Sequence, residues 1–334
     1  MRSFALYRFP HQDHYIQIKG KATTLPDLTS LGECSGFVVA PFAVSPDTPI
    51  VLINPSDIYI NKVDSTSMEN EDAPSTITTN SDKTQYLRDF AIFHDRLASG
   101  EFTKIVLART SSAYCSSTPM QLFTRACNLY PRMFIALVST PYTGTWLAAT
   151  PEVLLEKASE RWRTMALAGT MRVGDIEWSQ KNIEEQRIVA QYISRCLGTY
   201  ADHFSEEGPY AVRAGGLVHL RSDFTFKLKS PSDFGNLVAA LHPTPAVCGL
   251  PKDDTYKFII ANESINRKYY SGFMGPINII DNTRLYVTLR CMHIQDNNIC
   301  TLYAGGGLMK ESLAENEWAE TEDKMETMKR LLLE

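Results

Sequence analysis

The sequence lacks the long apolar segments that mark membrane and secreted proteins. Its 334 residues contain no apolar run of about 18 residues, the length that a membrane-spanning helix needs. The N-terminal stretch MRSFALYRFPHQDHY has no apolar segment long enough for a signal peptide. No internal repeat is visible. These absences predict a globular chain with no membrane attachment.

Cysteine is present, but not in a pattern that builds a site. The seven cysteines are odd in number and widely scattered, and no two of them form a CxxC pair. This spacing excludes the common zinc motifs and gives no sign of a disulfide framework. We therefore expect reduced thiols and a cytoplasmic location.

Basic residues are too few and too dispersed to bind a polyanion. The sequence has 33 Lys and Arg against 38 Asp and Glu, a formal net charge of −5. Without a basic stretch, neither nucleic acid nor an anionic membrane is expected as a partner. A small anionic substrate is compatible with this charge, because a cationic pocket can lie inside an acidic protein. No obligatory protein partner is predicted.

The order of the predicted elements indicates an α+β fold without regular βαβ alternation. Helices are predicted to begin near residue 83 and to span 184–197 and 314–333. Strands are predicted at 5–9, 36–44, 104–110, 133–139, 216–220, 285–294 and 299–304.

We expect one domain over residues 1–334. Residues 1–82 combine N-terminal strands with a polar loop at 61–82, and residues 83–334 form the catalytic core. With 44% hydrophobic residues, the chain has ample material for a large core.

Two glutamates near the C-terminus could hold a cation. Glu317 and Glu320 are three residues apart and Lys324 is four beyond Glu320, so all three share one helical face. Carboxylate oxygens are suitable ligands for Mg²⁺. A solvated face with an i,i+4 Glu–Lys pair explains the same spacing, and the pattern alone favours that explanation.

Four other positions have groups suited to chemistry. Gly305, in a run of three glycines, permits close approach to a ligand or forms a loose turn. Lys104 opens a strand, where lysine is usually exposed; a buried lysine could act as a general base. Glu152 follows a Thr-Pro turn and His242 lies in a proline-rich loop, and the pattern alone favours structural roles for both.

Taken together, these segments resemble the chorismate-utilising enzymes, the family of anthranilate, aminodeoxychorismate, salicylate and isochorismate synthases. The matching pieces follow the order of the family: KIVLAR at 104–109, TPEVLLE at 150–156, ALAGT at 166–170, KNIEEQ at 181–186, HPTPAVCGLP at 242–251, YYSGFMGP at 269–276, YVTLRC at 286–291, YAGGGL at 303–308 and EWAETEDK at 317–324. Each piece alone is weak, but the ordered series is specific. The resemblance extends from about residue 100 to the C-terminus.

The resemblance implies two large antiparallel-rich sheets that enclose a core, with helices outside and the site in a cleft between the sheets. It implies Mg²⁺ as cofactor, bound by Glu185, Glu317 and Glu320. It also implies Lys104 as the base that activates water and Glu152 as the acid that protonates a departing hydroxyl. Residues matching the family's substrate pocket are Gly169, Thr170, His242, Tyr270, Arg290, Gly305 and Lys324.

Single positions narrow the resemblance to the isochorismate synthase branch. Anthranilate synthases usually have glutamine where Lys104 stands, and aminodeoxychorismate synthases typically have lysine where Ala168 stands. We therefore expect isomerisation of chorismate to isochorismate, in menaquinone or siderophore biosynthesis. A salicylate synthase, which also eliminates pyruvate, and a non-catalytic chorismate-binding subunit are the alternatives.

The sequence departs from the family pattern in two places. Gln186 stands where histidine is common, beside Glu185, which predicts a changed orientation of that glutamate. The connection from Thr170 to Glu185 is shorter than usual, which predicts an altered rim of the site.

Overall fold

The computed structural model describes residues 3–64, 79–174, 177–214 and 216–332. The helices are α1 (Lys83–Ala98), α2 (Pro119–Leu129), α3 (Gln180–Tyr200), α4 (Asp233–Leu241), α5 (Lys252–Asn262) and α6 (Ala314–Lys329). The strands are β1 (Ser3–Arg8), β2 (His14–Leu25), β3 (Gly36–Ala40), β4 (Ile50–Lys62), β5 (Lys104–Tyr114), β6 (Phe134–Thr140), β7 (Gly144–Thr150), β8 (Val153–Ala158), β9 (Arg161–Arg172), β10 (Ala201–Ala214), β11 (Leu217–Leu228), β12 (Gly249–Leu250), β13 (Phe273–Ile277), β14 (Arg284–Val287), β15 (Cys291–Ile294) and β16 (Ile299–Leu308). This mixture confirms the α+β class.

The described strands join one antiparallel sheet rather than two separate ones. Its order is β10-β11-β9-β8-β14-β13-β3-β4-β2-β1-β6-β7-β15-β16-β5-β12. The expected pair of sheets therefore corresponds to two halves of one sheet, which β3, β4 and β2 connect. The N-terminal strands lie in the middle of this sheet and are continuous with the strands that carry the family motifs.

The sheet bends so that its two halves bury side chains against each other. Trp146 of β7 and Tyr303 of β16 share a buried cluster with Met165 of β9. Phe134 of β6 stacks on Tyr286 of β14, with the ring centroids 4.0 Å apart. Because β6 and β14 belong to opposite halves, this contact shows that the halves face one core, the arrangement in which a cleft between them can form.

The helices cover the outside, and local sequence explains where two of them begin. The carboxylate of Asp82 accepts a hydrogen bond from the Gln85 amide at the start of α1. Ser179 caps α3 in the same way, so this helix begins four residues before the predicted 184. None of the described helices is long and apolar enough to cross a membrane. Most of the predicted polar loop, residues 65–78, lies outside the described residues.

One local prediction was wrong and one open alternative does not hold, and both concern the site. The predicted strand 285–294 is split into β14 and β15, which lie in opposite halves of the sheet. Arg290, at the break, has φ of 44°, a conformation that alternating hydrophobicity does not reveal. The glycines at 305–307 are not a loose turn either, because β16 continues through them to Leu308, paired with β5.

Candidate active site

A cavity opens between the two halves of the sheet, beneath α3 and α6. It encloses about 620 Å³ when the open solvent at its mouth is included. Eight residues predicted from the sequence line it: Glu152, Gly169, Thr170, Glu185, Tyr270, Arg290, Gly305 and Lys324. The structure therefore brings together residues that are far apart in the chain.

Three consecutive glycines lie in β16, and two of them, Gly305 and Gly307, line this cavity. A Cβ on Gly305 would lie 2.7 Å from the Tyr270 hydroxyl, and one on Gly306 would lie 3.1 Å from Glu317 Oε2. A Cβ on Gly307 would overlap the carboxylate of Glu185. The glycines are needed because functional side chains approach the strand backbone this closely.

Lys104 lies directly behind Gly307 and is fully buried, with 0% exposure. Its Nζ is 2.9 Å from Glu185 Oε1 of α3. It is shielded because β5 is paired on one side with β16 and on the other with β12. The alternative of an exposed lysine at a strand end does not hold.

Each of the three acids predicted to bind metal is paired with a lysine. Glu185 pairs with Lys104, as above, and Glu320 Oε1 accepts a hydrogen bond from Lys324 Nζ at 2.7 Å. Glu317 Oε1 accepts hydrogen bonds from Lys181 of α3 and from a serine hydroxyl. Within the described ranges, no three acidic, histidine or cysteine side chains yet converge as a metal-ligand set.

Burial and these lysines shift the two acids of α6 in opposite directions. Burial raises the pKa of Glu317, against the opposing effect of Lys181. Burial would also raise the pKa of Glu320, but the ammonium groups of Lys324 and Lys181 outweigh it, so that pKa is lowered. One carboxylate of the pair is thus favoured in its charged form.

The donor atoms nevertheless fit a hard cation such as Mg²⁺. Glu317 Oε2 is buried and has no hydrogen-bond partner. This atom lies 3.1 Å, and Glu320 Oε1 4.0 Å, from the same point beside Gly306, where a Cβ would stand. An unpartnered buried carboxylate oxygen is costly unless something binds it. The arrangement leaves that oxygen free for a cation, and Mg²⁺ itself stays a prediction.

Glu152 is an acid held in its neutral form. Its side chain is 2% exposed at the junction of β7 and β8. Burial raises its pKa to about 8, although Lys104, Arg290 and Lys324 act to lower it. At neutral pH the group therefore carries a proton that it can donate.

Arg290 points into the cavity and is held by His219 of β11. Its Nη2 lies 2.9 Å from His219 Nε2, and the Nδ1 of the same ring lies 3.0 Å from the Gly169 carbonyl oxygen. Since a carbonyl can only accept, Nδ1 carries the proton and Nε2 accepts from Arg290. Burial, followed by the charge of Arg290, lowers the pKa of His219 to about 3, so the ring stays neutral.

A β-bulge at Gly169 makes this contact possible. Thr170 pairs with His219 while Ala168 pairs with the next residue of β11, so Gly169 is the extra residue in β9. Its φ is +75°, and a Cβ there would lie 2.9 Å from the Asn182 carbonyl oxygen of α3. Only glycine fits this position without strain.

The comparisons with known proteins agree with this geometry. The family described as "Chorismate binding enzyme" matches residues 52–333. This chain belongs to the chorismate-binding enzyme family. Isochorismate synthase DhbC of Bacillus subtilis (strain 168) is 30% identical over 258 residues, which are 71% of this chain and 65% of that protein. Isochorismate synthase MenF of Escherichia coli (strain K12) is 30% identical over 271 residues, 75% of this chain and 61% of that protein. The matches thus span less than two thirds of these relatives.

Solved structures confirm the family's fold. DhbC from Bacillus anthracis superposes with a TM-score of 0.84 at 24% identity, covering 99% of this chain and 96% of that chain. MenF from Escherichia coli, described as the menaquinone-specific isochorismate synthase, gives 0.82 at 21% identity, covering 100% of this chain and 89% of that chain.

Within this chorismate-binding fold, His242 does not reach the cavity, contrary to the prediction. It follows the last residue of α4, and its Nε2 lies 3.0 Å from the Pro41 carbonyl oxygen. The ring also packs edge-on against Phe273. Burial lowers its pKa to about 3. It is a buried structural histidine, and His219 lies in the cavity instead.

The sequence reasoning missed two residues beside the site. His219 lies in the predicted strand 216–220, where an inward-facing polar residue between apolar neighbours was the available signal. Lys181 lies inside the KNIEEQ motif, one helical turn before Glu185. Gln186 donates a hydrogen bond to Ser222 Oγ at 2.8 Å, and its effect on the orientation of Glu185 stays a prediction.

Proposed function

We propose that this chain isomerises chorismate to isochorismate in a Mg²⁺-dependent reaction. Two of its relatives carry the name isochorismate synthase, and chorismate is the ligand in the family's description. The observation that carries the proposal is the composition of the cavity. It holds two cationic side chains, Arg290 and Lys324, beside an acid kept neutral by burial, Glu152.

The cations suit a substrate with two carboxylates. The Arg290 guanidinium uses Nη2 to contact His219, which fixes its plane and leaves other N–H donors for a carboxylate. Lys324 is fixed by the Gly305 carbonyl oxygen at 2.9 Å and by Glu320. Both donors are thus oriented before the substrate arrives, which reduces the entropy cost of binding.

Lys104 acts as the base on the incoming water, and Glu152 acts as the acid on the departing hydroxyl. A water oxygen bonds to ring carbon C2 while one of its protons passes to the Lys104 amine. The ring double bonds shift and the C4–O bond breaks as Glu152 gives its proton to the departing hydroxyl, which leaves as water. One water enters and one leaves, so the reaction is an isomerisation, and proton transfer through solvent resets both groups.

Lys104 can accept this proton only as a neutral amine. Its Nζ lies 2.9 Å from Glu185 Oε1, one of the carboxylates proposed to hold the metal. Glu185, Glu317 and Glu320 would hold the metal. When bound, Mg²⁺ would neutralise the ring carboxylate and draw electron density towards it.

The experiment is incubation of the purified protein with chorismate and Mg²⁺, with the products separated by chromatography. We expect isochorismate in a reversible mixture with chorismate, no pyruvate in a coupled lactate dehydrogenase assay, and loss of turnover in EDTA. Stoichiometric pyruvate with salicylate would show a salicylate synthase, and unchanged chorismate would show a binding subunit. Full turnover in EDTA would exclude the metal requirement.

A matched pair of variants tests the acid. Glu152→Gln should abolish turnover, because an amide cannot donate the proton at the required step. The control is Glu156→Gln. The Glu156 carboxylate pairs with Arg163 at 3.3 Å and does not line the cavity. This control should keep activity close to that of the unmodified protein.

We further propose that the isochorismate enters menaquinone or siderophore biosynthesis. The cytoplasmic location stays a prediction.

A further inference from the structure

Lys181 lies among all three carboxylates that are proposed to hold the metal. It forms an ion pair with Glu317 Oε1, which connects α3 to α6. Its charge also acts on Glu185 and Glu320. Because Lys181 and Glu185 are four residues apart on α3, they project from the same face of the helix. A single ammonium group thus interacts with the whole set of acids.

The ammonium is sheltered, so its position must be stabilised. The Lys181 side chain is 21% exposed and that of Glu317 is 3% exposed. Paired with the buried carboxylate of Glu317, the ammonium of Lys181 neutralises part of the repulsion among the three carboxylates.

The two oxygens of Glu317 differ in a way that bears on metal binding. Oε1 is occupied by Lys181 and by the Ser312 hydroxyl at 2.7 Å, whereas Oε2 has no partner. A dication at Oε2 would lie within a few ångströms of the ammonium, where two positive charges repel strongly in a buried setting. The ammonium of Lys181 and a metal ion would therefore compete for this carboxylate.

We propose that Lys181 is a built-in competitor of the metal: its ammonium stabilises the carboxylate cluster in the protein without metal and withdraws from Glu317 when Mg²⁺ binds. This inference rests on the metal dependence proposed above. It predicts that the measured affinity for Mg²⁺ is lower than the carboxylates would give without the lysine, because only the lysine-released form is competent.

The test compares Lys181→Met with Lys83→Met. Methionine keeps an unbranched side chain and removes the charge. Lys83 is a matched control, since its Nζ pairs at 2.6 Å with Glu315 Oε2 of the same helix α6, but both side chains are well exposed and outside the cluster. Mg²⁺ alone is titrated into each protein by isothermal calorimetry without chorismate, and thermal unfolding is followed without metal.

We expect Lys181→Met to bind Mg²⁺ about tenfold more tightly than the unmodified protein, which corresponds to a lysine-bound form about ten times more populated than the released form. Its unfolding midpoint without metal should fall, because three carboxylates lose their shared counter-charge. Lys83→Met should match the unmodified protein in affinity. Lys181→Arg, which keeps the charge and serves if the methionine variant does not fold, should not gain affinity.

Equal or weaker Mg²⁺ binding by Lys181→Met would overturn the inference and make Lys181 a residue that positions Glu317. A gain of affinity in Lys181→Arg as well would overturn it too. If the unmodified protein binds Mg²⁺ and the variant shows no gain, the inference alone fails. If neither protein binds Mg²⁺, the metal requirement fails with it, whereas the chorismate assay still tests the isomerisation separately.

Discussion

Two groups of buried charges adjoin strand β5, and they differ in how completely their polar atoms are satisfied. In the first, Arg267 donates to both oxygens of Glu263, at 2.6 and 2.7 Å. Its remaining contacts reach the carbonyl oxygens of Val106 at 2.7 Å and Val247 at 2.8 Å. Glu263 also accepts the Ala108 amide at 2.8 Å. This pair fastens the strand and loop that form part of the cavity wall.

In the second group, some buried polar atoms have no hydrogen-bond partner. This group consists of Lys104, Lys181, Glu185 and Glu317. Lys104 Nζ forms an ion pair, but no hydrogen bond of good geometry. Glu317 Oε2 has no partner at all. A buried ion pair stabilises a fold only when its remaining polar atoms are also satisfied. We therefore propose a structural role for the first group and a ligand-binding role for the second.

Breaking the satisfied pair should have the largest effect on stability. Arg267→Met leaves Glu263 buried without its counter-charge and should lower the free energy of unfolding by about 3–5 kcal/mol. Denaturation by urea measures this loss. The double variant Glu263→Gln/Arg267→Met should recover part of it, because no unpaired charge remains. A loss below about 1 kcal/mol for the single variant would contradict the structural role.

Changing the unsatisfied group should affect turnover more than folding. Lys104→Ala is expected to slow isochorismate formation by at least about a hundredfold, the low end of general-base contributions. Circular dichroism should show an intact fold. Lys83→Ala, which removes an exposed lysine, should leave the rate unchanged. An unchanged rate in Lys104→Ala would mean that Lys104 only pairs with Glu185.

The pH dependence sharpens the comparison through Glu152. Its acid role needs the protonated form, so turnover should fall about tenfold per pH unit above about 8, the pKa set by burial.

The raised pKa of Glu152 also affects the stability of the fold. Because the folded pKa lies above the ordinary value, the stability that Glu152 contributes is fully present at acid pH and is lost as pH rises through about 8. Glu152→Gln should remove that loss, and an identical decline in the stability of both proteins between pH 4.5 and about 8 would contradict the assignment.

The smallest effect on stability is expected for Glu317→Gln in protein without metal. Oε2 has no partner to lose, and Lys181 remains beside Glu185 and Glu320. We expect a change of about 1 kcal/mol or less in the free energy of unfolding, together with weaker Mg²⁺ binding by calorimetry. A loss of unfolding free energy as large as that expected for Arg267→Met would mean that both groups of charges have a structural role.

Sequence patterns located α1, α3, α6, several strands and the residues that carry the resemblance. Phe90, Phe93 and Leu97 lie buried on one face of α1, as their spacing predicts. Glu320 and Lys324 form the i,i+4 pair that their spacing allows, although both are largely buried rather than solvated. Hydrophobic periodicity did not predict the break at Arg290, because a single residue with positive φ does not change that periodicity.

The sequence by itself determined three helices, several strands, the order of the family motifs and which side chains could carry charge at the site. These follow from local spacing, which repeats every few residues. Only the tertiary structure decided that Lys104 meets Glu185, that His219 rather than His242 reaches the cavity, and that Glu152 holds its proton. Pairing and burial depend on groups that are distant in the chain. Burial favours the neutral form of an acid and makes an unpartnered polar oxygen energetically costly.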